Sequence, residues 1–356
     1  MPNLFDPLTI NKLVIKNRFV RSATMDTLAD QGKVTDDLLA LYRELVEGEI
    51  GLIITGGIYV RKDGQIVPGE LAADTDETIP SLKKLTDAVH QAGGKIAAQL
   101  LHAGWGGHPD ITGSQPLAPS PIVHPHWKVE SRELSGGEIY ELIESYVQAA
   151  QRAVEAGFDA VQLHSAHGRL PCTFLSPAVN KREDEWGGSA ENRARFLRMI
   201  CQGIRAKVGS DYPIMVKLGL KDYHPEGKSL ADGIFTAKAL ELDGVDCIEV
   251  SEGFEAELHY HIRLDEMSPY YTEECRQTRE ALSIPLIQVG GMRELKDMQA
   301  ILDDGIAEAI SMCRPFINNP HIVRKFREKL THESDCISCN ECFKFQPGKR
   351  FECTQN

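Results

Sequence analysis

Two histidines lie three residues apart at the end of an apolar run that has the pattern of a buried strand. The stretch VQLHSAHGRL contains His164, His167 and Arg169. At the end of a strand, two imidazole N–H groups can serve as hydrogen-bond donors to a bound ligand. A metal pair and two satisfied core histidines are the alternatives, and no third ligand of the His or carboxylate type can be assigned beside them.

Hydrogen-bond donors and glycines follow the other apolar runs of the chain. They include neither the carboxylate cluster of a two-metal hydrolase nor a catalytic Ser/His/Asp set. Donors of this kind suit an anionic cofactor rich in heteroatoms, and a Gly-Gly pair after a strand can bind phosphate or simply form a turn. These residues are Ala23, Thr24, Met25, Gly57, Gln99, Lys217, Gly290, Gly291 and Arg314.

Four of the nine cysteines fall in the last 21 residues, as Cys336, Cys339, Cys342 and Cys353. Three thiolates at steps of three residues can bind one corner of a [4Fe–4S] cubane, with a distant fourth cysteine completing the site. Structural zinc more often uses two separate C-x2-C pairs. A cluster, a zinc ion and no metal therefore stay open. The other five cysteines are scattered and are predicted to be packing residues.

Eight apolar runs alternate with stretches of helical period, which is typical of βα units around a parallel sheet. The count of eight and the lack of G-x-G-x-x-G after the first run favour a TIM barrel over an open doubly wound sheet. We predict an α/β fold with a (β/α)8 barrel over residues 1–330 and a short cysteine-rich tail over residues 331–356. The runs are Phe19–Ser22, Gly51–Thr55, Lys95–Leu101, Asp159–His164, Ile214–Leu218, Cys247–Val250, Pro285–Val289 and Ala307–Met312.

The barrel explains why the donors follow the runs, because active sites of such barrels lie at the C-terminal ends of the strands. The formal net charge of −13 argues against a nucleic-acid or anionic-membrane surface and favours a small-molecule substrate. The N-terminus has no secretory leader and no run reaches the length of a membrane span, so a cytoplasmic protein is expected. A homo-oligomer is also expected.

Several longer segments resemble the old yellow enzyme family of FMN-dependent NAD(P)H:flavin oxidoreductases. The most specific is HSAHGRLPCTFLSPAVNKREDEWGGSAENRARF, residues 164–196. KNRFVRSATM at 16–25, AAQLLHAG at 97–104 and ISMCRPFINNP at 310–320 occur in the family order. The resemblance covers nearly the whole chain and implies FMN as cofactor, NADH or NADPH as reductant, and reduction of an activated C=C or a related acceptor.

The resemblance also implies roles for individual residues. Ala23, Thr24, Met25 and Gly57 match positions that pack against the flavin, and Gln99 matches the glutamine that binds its pyrimidine end. Lys217 stands where the family usually has arginine. Gly290, Gly291, Cys313 and Arg314 match the phosphate site, with Cys313 in place of a common glycine. His164 and His167 match the pair that binds a carbonyl or nitro oxygen of the substrate.

Two positions depart from the family pattern. Arg169 stands where many relatives have a proton-donating tyrosine, and arginine is a poor proton donor. We predict that Arg169 binds an anionic substrate such as a carboxylate; the alternative is an ion pair or a solvent-exposed position. Met25 replaces Thr or Cys near the flavin edge, which should tune the flavin potential differently.

The cysteine tail resembles the [4Fe–4S] site that follows the barrel in the trimethylamine dehydrogenase and 2,4-dienoyl-CoA reductase group. There the cluster passes electrons between FMN and a second dinucleotide-binding module, which this sequence does not contain, so a partner protein is expected to supply electrons unless the tail is structural. The alternatives are an amine dehydrogenase or demethylase, a flavin-free phosphate-binding lyase or isomerase, and a non-catalytic electron-transfer subunit.

Overall fold

The computed structural model describes residues 2–254, 268–343 and 348–355. Eight parallel strands form a closed barrel, which confirms the predicted fold class. Each strand pairs with the next, and the last pairs with the first, where Ile310 lies opposite Phe19. The strands are β1 Phe19–Arg21, β2 Leu52–Tyr59, β3 Ile96–Leu101, β4 Ala160–Ser165, β5 Ile214–Lys221, β6 Cys247–Glu252, β7 Leu286–Val289 and β8 Ala309–Met312.

A helix follows each strand and covers the outside of the barrel. In the longest helix Ser135 and Glu138 form a reciprocal capping box, and Ile139, Leu142 and Tyr146 on its inner side are fully buried. The helices are α1 Asp36–Glu47, α2 Ile79–Gln91, α3 Gly136–Glu155, α4 Ala190–Val208, α5 Leu230–Leu242, α6 Thr272–Arg279, α7 Leu295–Asp303 and α8 Ile322–Arg327. In the described part of the chain, none of the helices has the length and apolar character needed to cross a membrane.

An N-terminal hairpin that the sequence did not predict covers one end of the barrel. Its strands Leu8–Ile10 and Leu13–Ile15 are antiparallel. Ile10 and Ile15 are fully buried in a cluster with barrel residues such as Met215 and Ile287 near the N-terminal ends of their strands. Because this end is filled, a site within the barrel must open at the opposite end, where the strands terminate.

Short elements interrupt the loops at that opposite end. The strand Leu71–Ala72 extends the sheet beside β2, and the long loop after β3 contains two paired strands, Leu117–Ala118 and Arg132–Glu133. Three short helices lie at Pro109–Thr112, Leu170–Leu175 and Arg314–Asn318, and 3-10 turns lie at Lys62–Gly64, Asp76–Thr78, Gly104–Gly106 and Glu341–Phe343. The loops thus build a partly structured rim around the strand ends.

Candidate active site

A cavity of about 290 Å³ lies at the C-terminal ends of the barrel strands. Every residue predicted to bind cofactor or substrate lines it, although these residues come from all over the sequence. His102, which directly follows β3, does not line the cavity. Its side chain is fully buried, with Nε2 3.1 Å from Asp63 Oδ1, and it supports the loop after β2. The predicted residues on the cavity are Ala23, Thr24, Met25, Gly57, Gln99, His164, His167, Arg169, Lys217, Gly290, Gly291, Cys313 and Arg314.

The two histidines form a perpendicular pair at the end of β4. Their ring centroids are 5.2 Å apart and the rings are inclined at 87°. The backbone N–H of Ala166 donates to His164 Nδ1 at 3.4 Å, so the neutral ring carries its proton on Nε2. His167 has a φ of 52° and its Nε2 lies 2.8 Å from Ser251 Oγ. This left-handed backbone turns the second ring toward β6.

The pKa of each histidine lies well below its ordinary value: His164 is buried in the barrel wall, and His167 is exposed only toward the enclosed cavity, whose walls disfavour a charged ring. The positive charges of Arg169 and Lys217 act in the same direction on both rings, and His167 adds to the effect on His164. Both imidazoles are therefore neutral near pH 7. A neutral ring has one N–H, so His164 can donate from Nε2, and His167 can donate from Nδ1 in the tautomer whose Nε2 accepts from Ser251 Oγ.

Arg169 lies on the wall of the cavity, at the residue that precedes the short helix Leu170–Leu175. Its charge also acts on Glu70, a buried carboxyl on the same wall. Burial raises the pKa of Glu70 to about 7, against the opposing effects of the Ile66 backbone N–H, which donates to Oε2 at 2.7 Å, and of Arg169. The arginine thus lies on the cavity wall near groups whose ionisation it influences.

The predicted phosphate end of the cavity is formed by the loop after β7 and the start of the segment after β8. Gly290 and Gly291 have φ values of 97° and 70°, in the left-handed region that favours glycine. A side chain at Gly291 would overlap the backbone oxygen of Ser268. Arg314 Nη1 donates to Asn340 Oδ1 at 2.9 Å, and Thr24 Oγ1 donates to Cys313 Sγ at 3.1 Å. The first contact links the segment after β8 to the tail, and the second links the segments that follow β1 and β8.

A buried polar network beneath the cavity was not predicted. Lys217 Nζ lies 3.1 Å from Glu249 Oε1 and donates to Ser22 Oγ at 2.7 Å. Gln99 Nε2 donates to Gln162 Oε1 at 2.7 Å. The one signal in the sequence is that Glu249 is a charged residue inside the apolar run Cys247–Val250. Such a residue is buried only when partners satisfy it.

The four tail cysteines line one small second cavity together with Arg314 and Asn318. Asn318 Nδ2 is 3.3 Å from Cys353 Sγ, and burial raises the pKa of Cys342 to about 12. Within residues 2–254, 268–343 and 348–355, no three His, Cys, Asp or Glu side chains are arranged to hold a metal ion. Cys172, Cys201, Cys247 and Cys275 are buried, as expected of packing residues.

The strand ends of this closed barrel present an imidazole pair, an amide, an ammonium group and a glycine pair, and comparison with known proteins assigns the chain to the flavin-dependent barrel oxidoreductases. Residues 3–333 match the model of the NADH:flavin oxidoreductase / NADH oxidase family. The chain belongs to this family, and the resemblance to old yellow enzymes is confirmed.

Relatives and solved structures agree with this assignment. The chain is 37% identical to an NADH oxidase of Thermoanaerobacter brockii over 95% of its own length and 53% of the relative's, so it spans about half of that protein. It superposes on a 2-naphthoyl-CoA reductase in complex with 2-naphthoyl-CoA with a TM-score of 0.94 at 28% identity, covering 99% of this chain and 57% of the other. For an old yellow enzyme homologue of Zymomonas mobilis the TM-score is 0.82 at 30% identity, with coverages of 94% and 95%.

Proposed function

We propose that the protein is an FMN-dependent oxidoreductase that uses NADH or NADPH to reduce an activated C=C bond or a related acceptor in a small molecule. The observation that carries the proposal is the gathering of all the predicted cofactor and substrate residues on one cavity at the strand ends. The family assignment supports a flavin and a pyridine nucleotide. The flavin-free lyase or isomerase makes no use of the amide and ammonium groups beneath the cavity, and we do not favour it.

The donors present fit FMN. Gln99 and Lys217 would bind the pyrimidine end of the flavin, Ala23, Thr24, Met25 and Gly57 would pack against it, and the phosphate would bind at Gly290, Gly291, Cys313 and Arg314. Bound FMN would supply a carrier that accepts and releases hydride. The ammonium of Lys217 favours the negatively charged reduced form of such a carrier. Because Cys313 keeps a backbone N–H, the phosphate site does not require the glycine that is common at this position.

His164 and His167 bind the substrate oxygen in this proposal. Two neutral N–H donors withdraw electron density from that oxygen and prepare the adjacent double bond to accept hydride. Removing one such donor typically costs two to three orders of magnitude in rate. The histidines act only as hydrogen-bond donors, and a proton for the second carbon comes from water or another residue, because Arg169 does not release one.

Arg169 selects the substrate. Its guanidinium adds positive charge to a cavity wall that carries the two histidines, and a carboxylate accepts two parallel hydrogen bonds from such a group. We therefore expect substrates that carry an anionic group next to the reducible bond.

The cysteine tail provides a second proposed site. Cys336, Cys339, Cys342 and Cys353 share one cavity, and their side chains would have to converge on binding to supply the four thiolates of a [4Fe–4S] cluster, with zinc as the alternative. Arg314, Cys336 and Ser338 line both cavities, so a bound cluster would stand beside the flavin site and could exchange electrons with a partner protein. An amine dehydrogenase that exports electrons by this route is the second candidate function.

We further propose a barrel over residues 1–330 with the tail over 331–356, a homo-oligomer and a cytoplasmic location.

Cofactor reconstitution tests these proposals. After anaerobic incubation with FMN, iron and sulfide and removal of unbound material, we expect a yellow protein with one FMN per chain and about four iron and four sulfide per chain. A colourless protein that does not bind FMN would refute the flavoenzyme. Bound FMN without iron and sulfide would refute the cluster alone, and stoichiometric zinc in its place would favour the structural alternative.

A further inference from the structure

Glu249 is a fully buried carboxylate at the centre of the barrel. Ser22 Oγ and Ser311 Oγ each donate to Oε1 at 2.7 Å, Lys217 Nζ lies 3.1 Å from the same oxygen, and Gln162 Nε2 donates to Oε2 at 2.9 Å. The donors come from β4, β5, β8 and the residue after β1. One acidic side chain therefore connects four strands of the barrel wall, and a charge with no exposure is stable only with such partners.

The Glu249 network is connected to the cavity both directly and through Gln162. Lys217, Ser22 and Ser311 line the cavity directly. Gln99 is reached through Gln162, since Gln99 Nε2 donates to Gln162 Oε1 at 2.7 Å. An ionised carboxylate can only accept hydrogen bonds, so it fixes the amide nitrogen of Gln162 toward itself and the amide oxygen toward Gln99. Gln99 must then use its nitrogen for Gln162, which leaves its own oxygen as an acceptor.

The carboxylate is ionised and offsets the charge of Lys217. Burial acts to raise the pKa of Glu249, but Lys217 and the hydrogen bonds from Ser22, Ser311 and Gln162 outweigh burial, and the pKa lies below its ordinary value. Removing the negative charge while leaving the ammonium would therefore change the electrostatic potential at the cavity floor.

We infer that Glu249 is a positioning residue for the cofactor: it sets how strongly Lys217 stabilises the reduced flavin, and it orients Gln99 to accept a hydrogen bond from the imide N–H of the flavin. The inference rests on the proposed function because it requires bound FMN. Glu249, which lies outside the cavity, thus controls two residues that line it, Lys217 and Gln99.

The isosteric variant Glu249→Gln tests the electrostatic part. Without the negative charge, Lys217 acts uncompensated on the reduced flavin, so the two-electron midpoint potential of bound FMN should rise. We expect the redox equilibrium to shift at least tenfold toward the reduced form, which is about 30 mV for a two-electron couple. An unchanged or lower potential in a folded, FMN-loaded variant would overturn the inference.

The same substitution in a second variant protein separates the effect of the Glu249 charge from its effect on packing. In the Lys217→Met protein, Glu249→Gln should shift the equilibrium less than threefold, about 15 mV, because a fully buried carboxyl that has lost its ammonium partner takes up a proton and has no charge left to remove. If Glu249 has only a structural role, the shift will be the same in both backgrounds, and that result would overturn the inference.

Binding of a flavin analogue tests the orientation of Gln99 without depending on Glu249→Gln being folded. The wild-type apoprotein should bind N3-methyl-FMN at least tenfold more weakly than FMN, because the methyl group replaces the imide N–H. In Gln162→Leu this preference should fall below threefold. Equal binding of both flavins by the wild type would contradict the assigned orientation. Failure of the wild type to bind FMN at all would instead refute the proposed function.

Discussion

At the scale of single residues, the proposed chemistry depends on two histidines that their surroundings keep neutral. The His164 ring is buried in the barrel and the His167 ring is exposed to the cavity, and the positive charges of Arg169 and Lys217 disfavour an imidazolium ion at both positions. A cationic ring at the buried His164 would be costly. The same arrangement makes the stability of the protein depend on pH.

The double variant His164→Asn/His167→Asn should weaken the pH dependence of stability. In the unfolded chain each histidine has an ordinary pKa of about 6.5, whereas the folded pKa is lower. Below about pH 6.5 the unfolded state therefore binds more protons, and the buried His164 lowers the free energy of unfolding by up to about 1.4 kcal/mol per pH unit, with a smaller share from His167, whose ring is exposed to the cavity. The stability that is lost in this way at lower pH is fully present above about pH 6.5. Urea midpoints of the apoprotein between pH 7 and pH 5 should show a shallower decline for the variant.

The matched control for this experiment is His332→Asn, a substitution at an exposed histidine. His164 accounts for up to about 1.4 kcal/mol per pH unit of the difference, and His167 adds less because solvent screens its exposed ring. Identical slopes for the wild type and the double variant would show that the pair is not held neutral by the fold.

A second prediction at this scale concerns Arg169. Arg169→Leu should raise the KM for a carboxylate-bearing enone about 10- to 100-fold, since a hydrogen bond to a charged group contributes about 1.5–3 kcal/mol. The KM for the neutral analogue should change less than threefold. Arg169→Lys keeps the charge and should retain part of the preference. Equal effects on the acidic and the neutral substrate would mean that Arg169 does not bind the anion.

At the scale of elements, the loop after β7 has a conformation that only glycine adopts easily. Gly291→Ala places a side chain against the backbone of Ser268 at a φ of 70°, so the loop must move. We expect the affinity for FMN to fall at least tenfold, with a smaller loss for riboflavin, which has no phosphate. Isothermal titration of the apoprotein with both ligands measures this difference.

Gly305→Ala is the control for backbone strain. Gly305 has a φ of 64° at the C-terminal end of α7, and an added Cβ would meet nothing within 4 Å. Both substitutions should cost about 1–2 kcal/mol of stability through the left-handed conformation, but only Gly291→Ala should weaken FMN binding. A loss of affinity for riboflavin equal to that for FMN would place the phosphate elsewhere.

The elements of the barrel could be predicted because its strands are buried on both sides and appear as continuous apolar runs. Each of the eight runs overlaps one observed strand, and β2, β4, β5 and β6 continue past the end of their runs. The N-terminal hairpin could not be predicted in the same way, since each strand has only three residues and Val14 between two buried neighbours is 55% exposed. The two-residue strands after β3 are too short to produce any period.

The residues at the strand ends could be predicted from their position after each run together with the family resemblance. The network around Glu249 could not, because its members are distant in sequence: Ser22 and Glu249 are 227 positions apart. No spacing rule connects residues on four different strands. Only closure of the barrel brings them together.

At the scale of the whole molecule, an acidic protein contains a cationic cavity. The net charge is −13, yet Arg169, Lys217, Arg293 and Arg314 line the cavity, against the carboxyl groups of Glu70 and Glu252. A cleft of this kind concentrates anionic ligands. The flavin phosphate, the pyridine nucleotide and a carboxylate substrate all carry the charge that this cavity attracts. The small cysteine-lined cavity adjoins it, which places both proposed redox sites at one end of the barrel.

The reduction of bound FMN by different donors tests the central claim most directly. In anaerobic stopped-flow mixing of the FMN-loaded protein, we predict that NADH or NADPH bleaches the flavin absorbance near 450 nm and that a carboxylate-bearing enone then restores it. Trimethylamine should leave the absorbance unchanged on the same timescale. Rapid bleaching by the amine, with no reaction with either pyridine nucleotide, would contradict the account and establish the amine dehydrogenase instead.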